Sequence, residues 1–185
     1  MIRYRFAAAT VVAAAMVLAT APAAAPPAEA ATPPAAPEDV GSVDAIIAAL
    51  YDVISGPAGQ RRDWARFNSL FIPGARLIPT GSAADGTVRH RVMTPADYAA
   101  TSGPVLEERG FFESEIGRTT ERFGNIIQVF SAYDSRTTAA DPEPFARGIN
   151  SIQLLHDGVR YWVVTVFWDS ERPDNMIPQR YLGGG

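Results

Sequence analysis

Ser151–Asp169 reads SIQLLHDGVRYWVVTVFWD. Two apolar runs flank Asp157-Gly158, a dipeptide suited to a hairpin turn because glycine accepts backbone angles that other residues resist. The pattern predicts strands over Gly148–His156 and Val159–Asp169. Tyr161 to Trp168 is apolar on both faces except at Thr165, so this strand is expected to be central, covered from both sides. Period two puts Trp162, Val164, Val166 and Trp168 on one face as a core stripe, with Asn150, Ile152 and Leu154 as parity partners on the neighbouring strand.

Working upstream, Phe111–Phe123 and Ile126–Arg136 flank Gly124-Asn125, a second hairpin signal, and a Pro-rich loop at Asp141-Pro142-Glu143-Pro144 separates the two hairpins. The N-terminal half reads differently. Ser42 is a helix cap, and Val43, Ile46, Ile47, Leu50, Val53 and Ile54 recur at helical spacing up to the stop at Ser55-Gly56-Pro57. Asp63 caps a short second helix with Trp64, Phe67, Leu70 and Phe71 on one side, closed by Pro73-Gly74. Ala75–Thr80 and Val88–Met93 read as strands; in the second, Val88, His90 and Val92 share the face expected to point inward, and Arg89 and Arg91 the outer one. Thr94-Pro95 opens a third helix towards Glu108, which Gly103-Pro104 is expected to disturb. The order α-α-β-β-α-β-β-β-β predicts an α+β fold: three N-terminal helices on a strongly curved, mainly antiparallel sheet of about six strands, with a cleft between the layers.

The first thirty residues stand apart. Arg3 and Arg5 precede an uncharged stretch from Phe6 to Ala21, and Ala28-Glu29-Ala30 is an A-x-A pattern. This layout predicts a signal peptide over 1–30 and an exported protein, periplasmic or secreted, that starts at Ala31 and has no membrane attachment after cleavage. Residues 31–39 form a Pro/Ala-rich linker, 40–172 the folded domain and 173–185 a polar tail. The 185 residues suit one such domain plus a leader. All 16 basic residues are arginine and there is no cysteine, which excludes a Schiff-base lysine, a phosphate loop of the Gly-Lys type, thiolate metal sites and a cysteine nucleophile. A net charge of −4 argues against nucleic acid as a partner. The two histidines lie in separate strands without carboxylates at ligand spacing, so no metal and no cofactor is expected.

Among residues able to do chemistry, His90 is the candidate general base, because a neutral imidazole is the natural base near neutral pH. His156 is expected at an exposed strand end. Glu113, Glu115 and Glu121 share one parity opposite Phe112 and Ile116, and the pattern assigns them to a solvated or dimer-facing row. Tyr51, Trp64, Tyr98, Tyr133, Asn150 and Trp168 are the candidate pocket residues: aromatic walls, a phenol in the core, and a buried amide that must find hydrogen bonds.

Three stretches carry a family resemblance. AALYDVISG at 48–56, FNSLFIPGARLIP at 67–79 and SIQLLHDGVRYWVVTVFWD at 151–169 resemble the opening and closing motifs of the nuclear transport factor 2-like superfamily, also called the SnoaL-like or cystatin-like α+β cone, in an exported bacterial-type member. The resemblance spans about residues 40–170. It implies a cone-shaped fold and a homodimer that holds a small apolar or amphipathic molecule in its cleft. The superfamily includes isomerases, dehydratases, cyclases, epoxide hydrolases and non-enzymatic binding domains, so fold alone does not choose an activity. Isomerase-like members place a carboxylate in the first strand, where this chain has Leu77-Ile78-Pro79-Thr80. The resemblance therefore implies a binding domain first. The alternatives are a lyase, isomerase or cyclase using His90, and a protein-interaction module.

Overall fold

The computed structural model describes residues 32–83 and 85–183. The expected leader over 1–30 lies outside the described residues. The helices are α1 (Pro37–Val40), α2 (Val43–Ile54), α3 (Trp64–Ser69) and α4 (Pro95–Arg109). The strands are β1 (Phe71–Ser82), β2 (Val88–His90), β3 (Phe112–Phe123), β4 (Ile126–Arg136), β5 (Ala146–His156) and β6 (Tyr161–Ser170). They form one sheet in the order β2-β1-β6-β5-β4-β3; only the β1–β6 pair is parallel. This is the expected α+β architecture, with β6 inside the sheet.

The helix caps work as their sequences predict. Ser42 accepts from Ala45 N–H at 3.0 Å, Asp63 Oδ1 from Arg66 N–H at 2.8 Å, and Thr94 and Asp97 form a reciprocal capping box. The added first turn, α1, is tied to α3 by Asp39, which takes a two-pronged ion pair from Arg66 at 2.8 and 2.9 Å. That pairing holds the Asp39 carboxyl below its ordinary range. α4 runs unbroken through Gly103-Pro104, so the expected disturbance is absent. Proline lacks the N–H of one helical bond, but Pro104 is exposed, and Gly103 lets α4 settle on the Trp64 ring of α3.

Four expectations need correction, each for a physical reason. First, Asp157-Gly158 does not form a two-residue turn: His156 pairs with Tyr161 across a four-residue loop. Asp157 Oδ1 organises that loop by accepting from Val159 N–H and Arg160 N–H, both at 2.8 Å. Second, the stripe on β6 changes parity. Gln153 faces Thr165 but Leu154 faces Val163, which leaves Val164 as an extra residue. The bulge turns Tyr161 and Val163 inward together with Val166 and Trp168. Trp162 is thereby half-buried, and its indole N–H reaches Asp157 on the loop at 2.6 Å. Third, β1 begins at Phe71 and passes through Pro73-Gly74 as an irregularity instead of starting after it. Fourth, β2 does not present a buried face. Val88 and Val92 are 70% and 55% exposed and His90 is exposed too. β2 is a three-residue edge paired only with the end of β1, so both its faces meet solvent.

The C-terminal segment returns across the sheet. Tyr181 stacks on Phe130 of β4 at 5.4 Å between ring centroids, and Ile177 is buried. Among the described residues, no helix is long and apolar enough to cross a membrane.

Candidate functional site

Helices α2, α3 and α4 lie over the sheet, and between the two layers is a cavity of about 450 Å³. Its walls are mostly apolar: Leu50 and Ile54 from α2, Leu77 from β1, Leu106 from α4 and Val166 from β6. An aromatic chain closes one side. Phe67 contacts Tyr98 at 5.5 Å, and Tyr98 meets Trp168 edge-on at 6.4 Å. Trp64 stands behind this wall: it contacts Phe67 and Tyr98 and gives its indole N–H to Glu107 at 2.9 Å.

Five of the six expected pocket residues therefore line the cavity: Tyr51, Tyr98, Tyr133, Asn150 and Trp168. Trp64 supports the wall without lining it. His90 is on the exposed β2 edge, outside the lining, which removes the geometric basis for its role as base.

The residue that the sequence reading placed wrongly is Glu113. It lines the cavity and, among the described residues, is the only charged side chain to do so. Its position results from the join between α2 and β3. Gly56 and Phe111 exchange backbone hydrogen bonds at 2.7 and 3.0 Å. Ser55 Oγ accepts from the Glu113 N–H at 3.0 Å. Arg62, itself buried, clamps the same corner by donating to the carbonyls of Ile54 and Gly56 at 2.9 and 2.6 Å. This join aims the Phe111/Glu113 side of β3 beneath α2. Further along, Glu115 faces Tyr133 while Gly117 faces Ala132, so Ile116 is bulged out. Phe111, on the parity of Glu113, was the available signal; Phe112 and Ile116 outvoted it.

A polar network connects the carboxyl to the cavity floor. Ser135 Oγ donates to Glu113 Oε2 at 2.9 Å. Asn150 Nδ2 donates to Tyr51 Oη at 3.1 Å and approaches Glu113 Oε1 at 3.5 Å. Ser131 gives its single hydroxyl hydrogen to Glu115 at 2.6 Å, so Tyr51 must donate to Ser131 Oγ across their 2.7 Å contact. The chain thus runs from Asn150 through Tyr51 and Ser131 to Glu115. It leaves Glu113 Oε1 with one long contact.

Burial dominates the electrostatics. It pushes the Glu113 carboxyl up to about 7, and nearby Asp134 adds to the shift while Ser135 and Asn150 oppose it. The hydroxyls of Tyr51, Tyr98 and Tyr133 are all pushed upward, first by burial and further by the charge of Glu113. A carboxyl poised near neutrality in an apolar cavity can donate a proton, accept one, or pair with a cation. Among the described residues no group of three His, Asp or Glu side chains is arranged to hold a metal ion.

Comparison with solved structures bears on this architecture. A protein from Kribbella flavida superposes with a TM-score of 0.51 at 7% identity, over 71% of this chain and 90% of its own. Such a likeness concerns the fold. The curved six-stranded mixed sheet, with its helices on one side, completes the assignment.

The fold is the α+β cone that the sequence resemblance leads one to expect.

Two further solved structures, described as NTF-2-like proteins of unknown function, come from Silicibacter pomeroyi and Shewanella baltica. They align over 71% of this chain and 94% and 98% of theirs, at 13% and 10% identity and TM-scores of 0.46 and 0.42. No protein-family model and no curated protein matches the sequence. The function of this cone must be argued from its own cavity.

Proposed function

We propose that this nuclear transport factor 2-like cone binds a small apolar or amphipathic molecule between its helices and its sheet. The observation that carries the reading is the cavity of about 450 Å³, walled mainly by apolar and aromatic side chains, with its polar groups gathered around Glu113, Tyr51 and Asn150. A homologous series of straight-chain alcohols tests it. Affinity should rise by about 0.8 kcal/mol for each added CH₂ until the cavity is full, then level off. Ala146→Phe, at a small lining residue, should abolish the binding. A flat series, or one indifferent to Ala146→Phe, overturns the reading.

A second reading has its own observation, the raised pKa of Glu113. In it the cone is an acid–base isomerase, lyase or cyclase, with Glu113 in the part expected of His90 and Asn150 orienting the substrate oxygen. Cyclic ketones incubated with the protein in D₂O should gain deuterium beside the carbonyl, and Glu113→Gln should stop it. Equal exchange by both proteins removes this reading.

Export is part of the proposal. The basic head, apolar stretch and A-x-A pattern of residues 1–30 support it. N-terminal sequencing from the native host should find Ala31 first; an intact Met1 in a cytosolic fraction would refute it.

A further inference from the structure

We propose that the preferred ligand is a protonated amine: a compact apolar or aromatic body with one ammonium group, seated with its charge on Glu113 Oε1 among the phenol rings of Tyr51, Tyr98 and Tyr133. The inference rests on the cavity being a ligand site and adds the ligand's charge.

Three observations carry it. Among the described residues, the cavity lining holds one charged side chain, an acid, and no arginine or histidine. A carboxylate or phosphate ligand would therefore meet a like charge in a desolvated space with no counter-ion, the costliest arrangement available. Next, Glu113 is under-partnered on the side that matters. Oε2 has Ser135 at 2.9 Å, whereas Oε1 has only the 3.5 Å approach of Asn150. Tyr51 is already committed as a donor, and Asn150, with one amide hydrogen on Tyr51, offers Oε1 only its long 3.5 Å approach, so a ligand's own N–H groups are the close partners that Oε1 lacks. Lastly, the surrounding surface is aromatic. Three tyrosines, Phe111 and Trp168 line the same cavity, and aromatic faces attract cations most strongly where water is excluded.

The neighbourhood of Glu113 reinforces the sign. The titratable groups facing it are Tyr51 on α2, Tyr98 on α4, and Tyr133 and Asp134 on β4; Glu115, on its own strand, lies beyond Ser131, from which it accepts a hydrogen bond. The arginines nearby have acidic partners of their own: Arg136 pairs with Asp134 at 2.5 Å, and Arg118 pairs with Asp44 and, at 3.7 Å, with Glu115. The tyrosines are held neutral by burial. An ammonium entering this space would restore to Glu113 the stabilisation that burial removed. Its carboxyl pKa should then fall on binding, and binding below neutral pH should release a proton.

The test uses three probes of one shape: 4-phenylbutylamine, 4-phenylbutanol and 4-phenylbutyrate, titrated calorimetrically into the full mature chain. At pH 7.5 the amine should bind at least about tenfold more tightly than the alcohol, and the acid most weakly. Lowering the pH from 7.5 to 5.5 should weaken the amine by roughly tenfold or more and leave the alcohol unchanged, a result that needs no variant. Glu113→Gln, close in shape, should erase the amine's preference, so that amine and alcohol bind this variant within about threefold of each other. Equal affinity for amine and alcohol, tightest binding by the acid, or an amine preference that survives Glu113→Gln overturns this inference alone. If none of the three probes binds, the cavity reading falls and takes this one with it.

Discussion

β2 and β3 are the two edges of one sheet, and only β3 is covered. β2 is three residues long, and no residue in it is buried. β3 is twelve residues long; α2 packs over its first half, and the C-terminal segment approaches it near Gly117. Both strands carry ionisable side chains. On β2 the imidazole of His90 meets water. On β3 the carboxyl of Glu113 is enclosed and raised to about 7. Whether a side chain is buried is decided by what lies over its strand, not by alternation within it, since alternation separates two faces without saying which is covered.

The strongest way to break this contrast is to thin the cover. Ile46 on α2 is fully buried, and Ile46→Ala should cost about 2–5 kcal/mol in urea unfolding. A loss below about 1 kcal/mol would mean that α2 contributes little to burying this side of the sheet.

The next effect is the titration of Glu113. Its folded pKa, about 7, lies above the ordinary carboxyl value of 4.5. A raised carboxyl favours the folded state while protonated. Stability is therefore highest below about pH 4.5, declines as pH rises towards 7, and is level above that. At about 1.4 kcal/mol per pKa unit, the decline attributable to this group is roughly 3–4 kcal/mol. The difference between wild-type and Glu113→Gln unfolding free energies should trace it between pH 4.5 and 7.5. A wild-type profile parallel to that of Glu113→Gln would show the carboxyl to be solvated.

Gly117 tests the other cover. A Cβ there would lie 2.6 Å from the Gly183 nitrogen and against the Tyr181 carbonyl. Gly117→Ala should lift the C-terminal segment, cost about 1–2 kcal/mol and speed tryptic cleavage after Arg180. Unchanged cleavage would show that the segment does not depend on this approach. The smallest effect belongs to the bare edge. Val88→Ala and His90→Ala should each stay within about 0.5 kcal/mol of wild type, and a larger loss would mean that β2 is covered in solution.

Much of the site was legible before the fold was known. Tyr51, Tyr98, Tyr133, Asn150 and Trp168 were marked as aromatic or buried-amide positions, and all five line the cavity. Their parity and helical phase point inward wherever the element is regular. The misplacements occur where regularity fails. Val164 and Ile116 are extra residues in bulges, and each reverses the inward and outward faces between the two sides of its bulge, so Trp162 moves out of the core stripe. Glu113 was placed outside because Phe112 and Ile116 were counted as core, although Phe111 shares its side.

The sequence by itself determined the element order, the helix caps at Ser42, Asp63 and Thr94, the two hairpins and the α+β class, because these rest on local geometry and on periodicity over several residues. Tertiary structure alone decided that Glu113 shares a cavity with Tyr51 and Asn150. Those two lie 99 positions apart along the chain and meet within hydrogen-bonding distance. It also decided that His90 is exposed. Enclosure, and the pKa shift that enclosure causes, depend on the far side of a contact, and that partner lies elsewhere in the sequence.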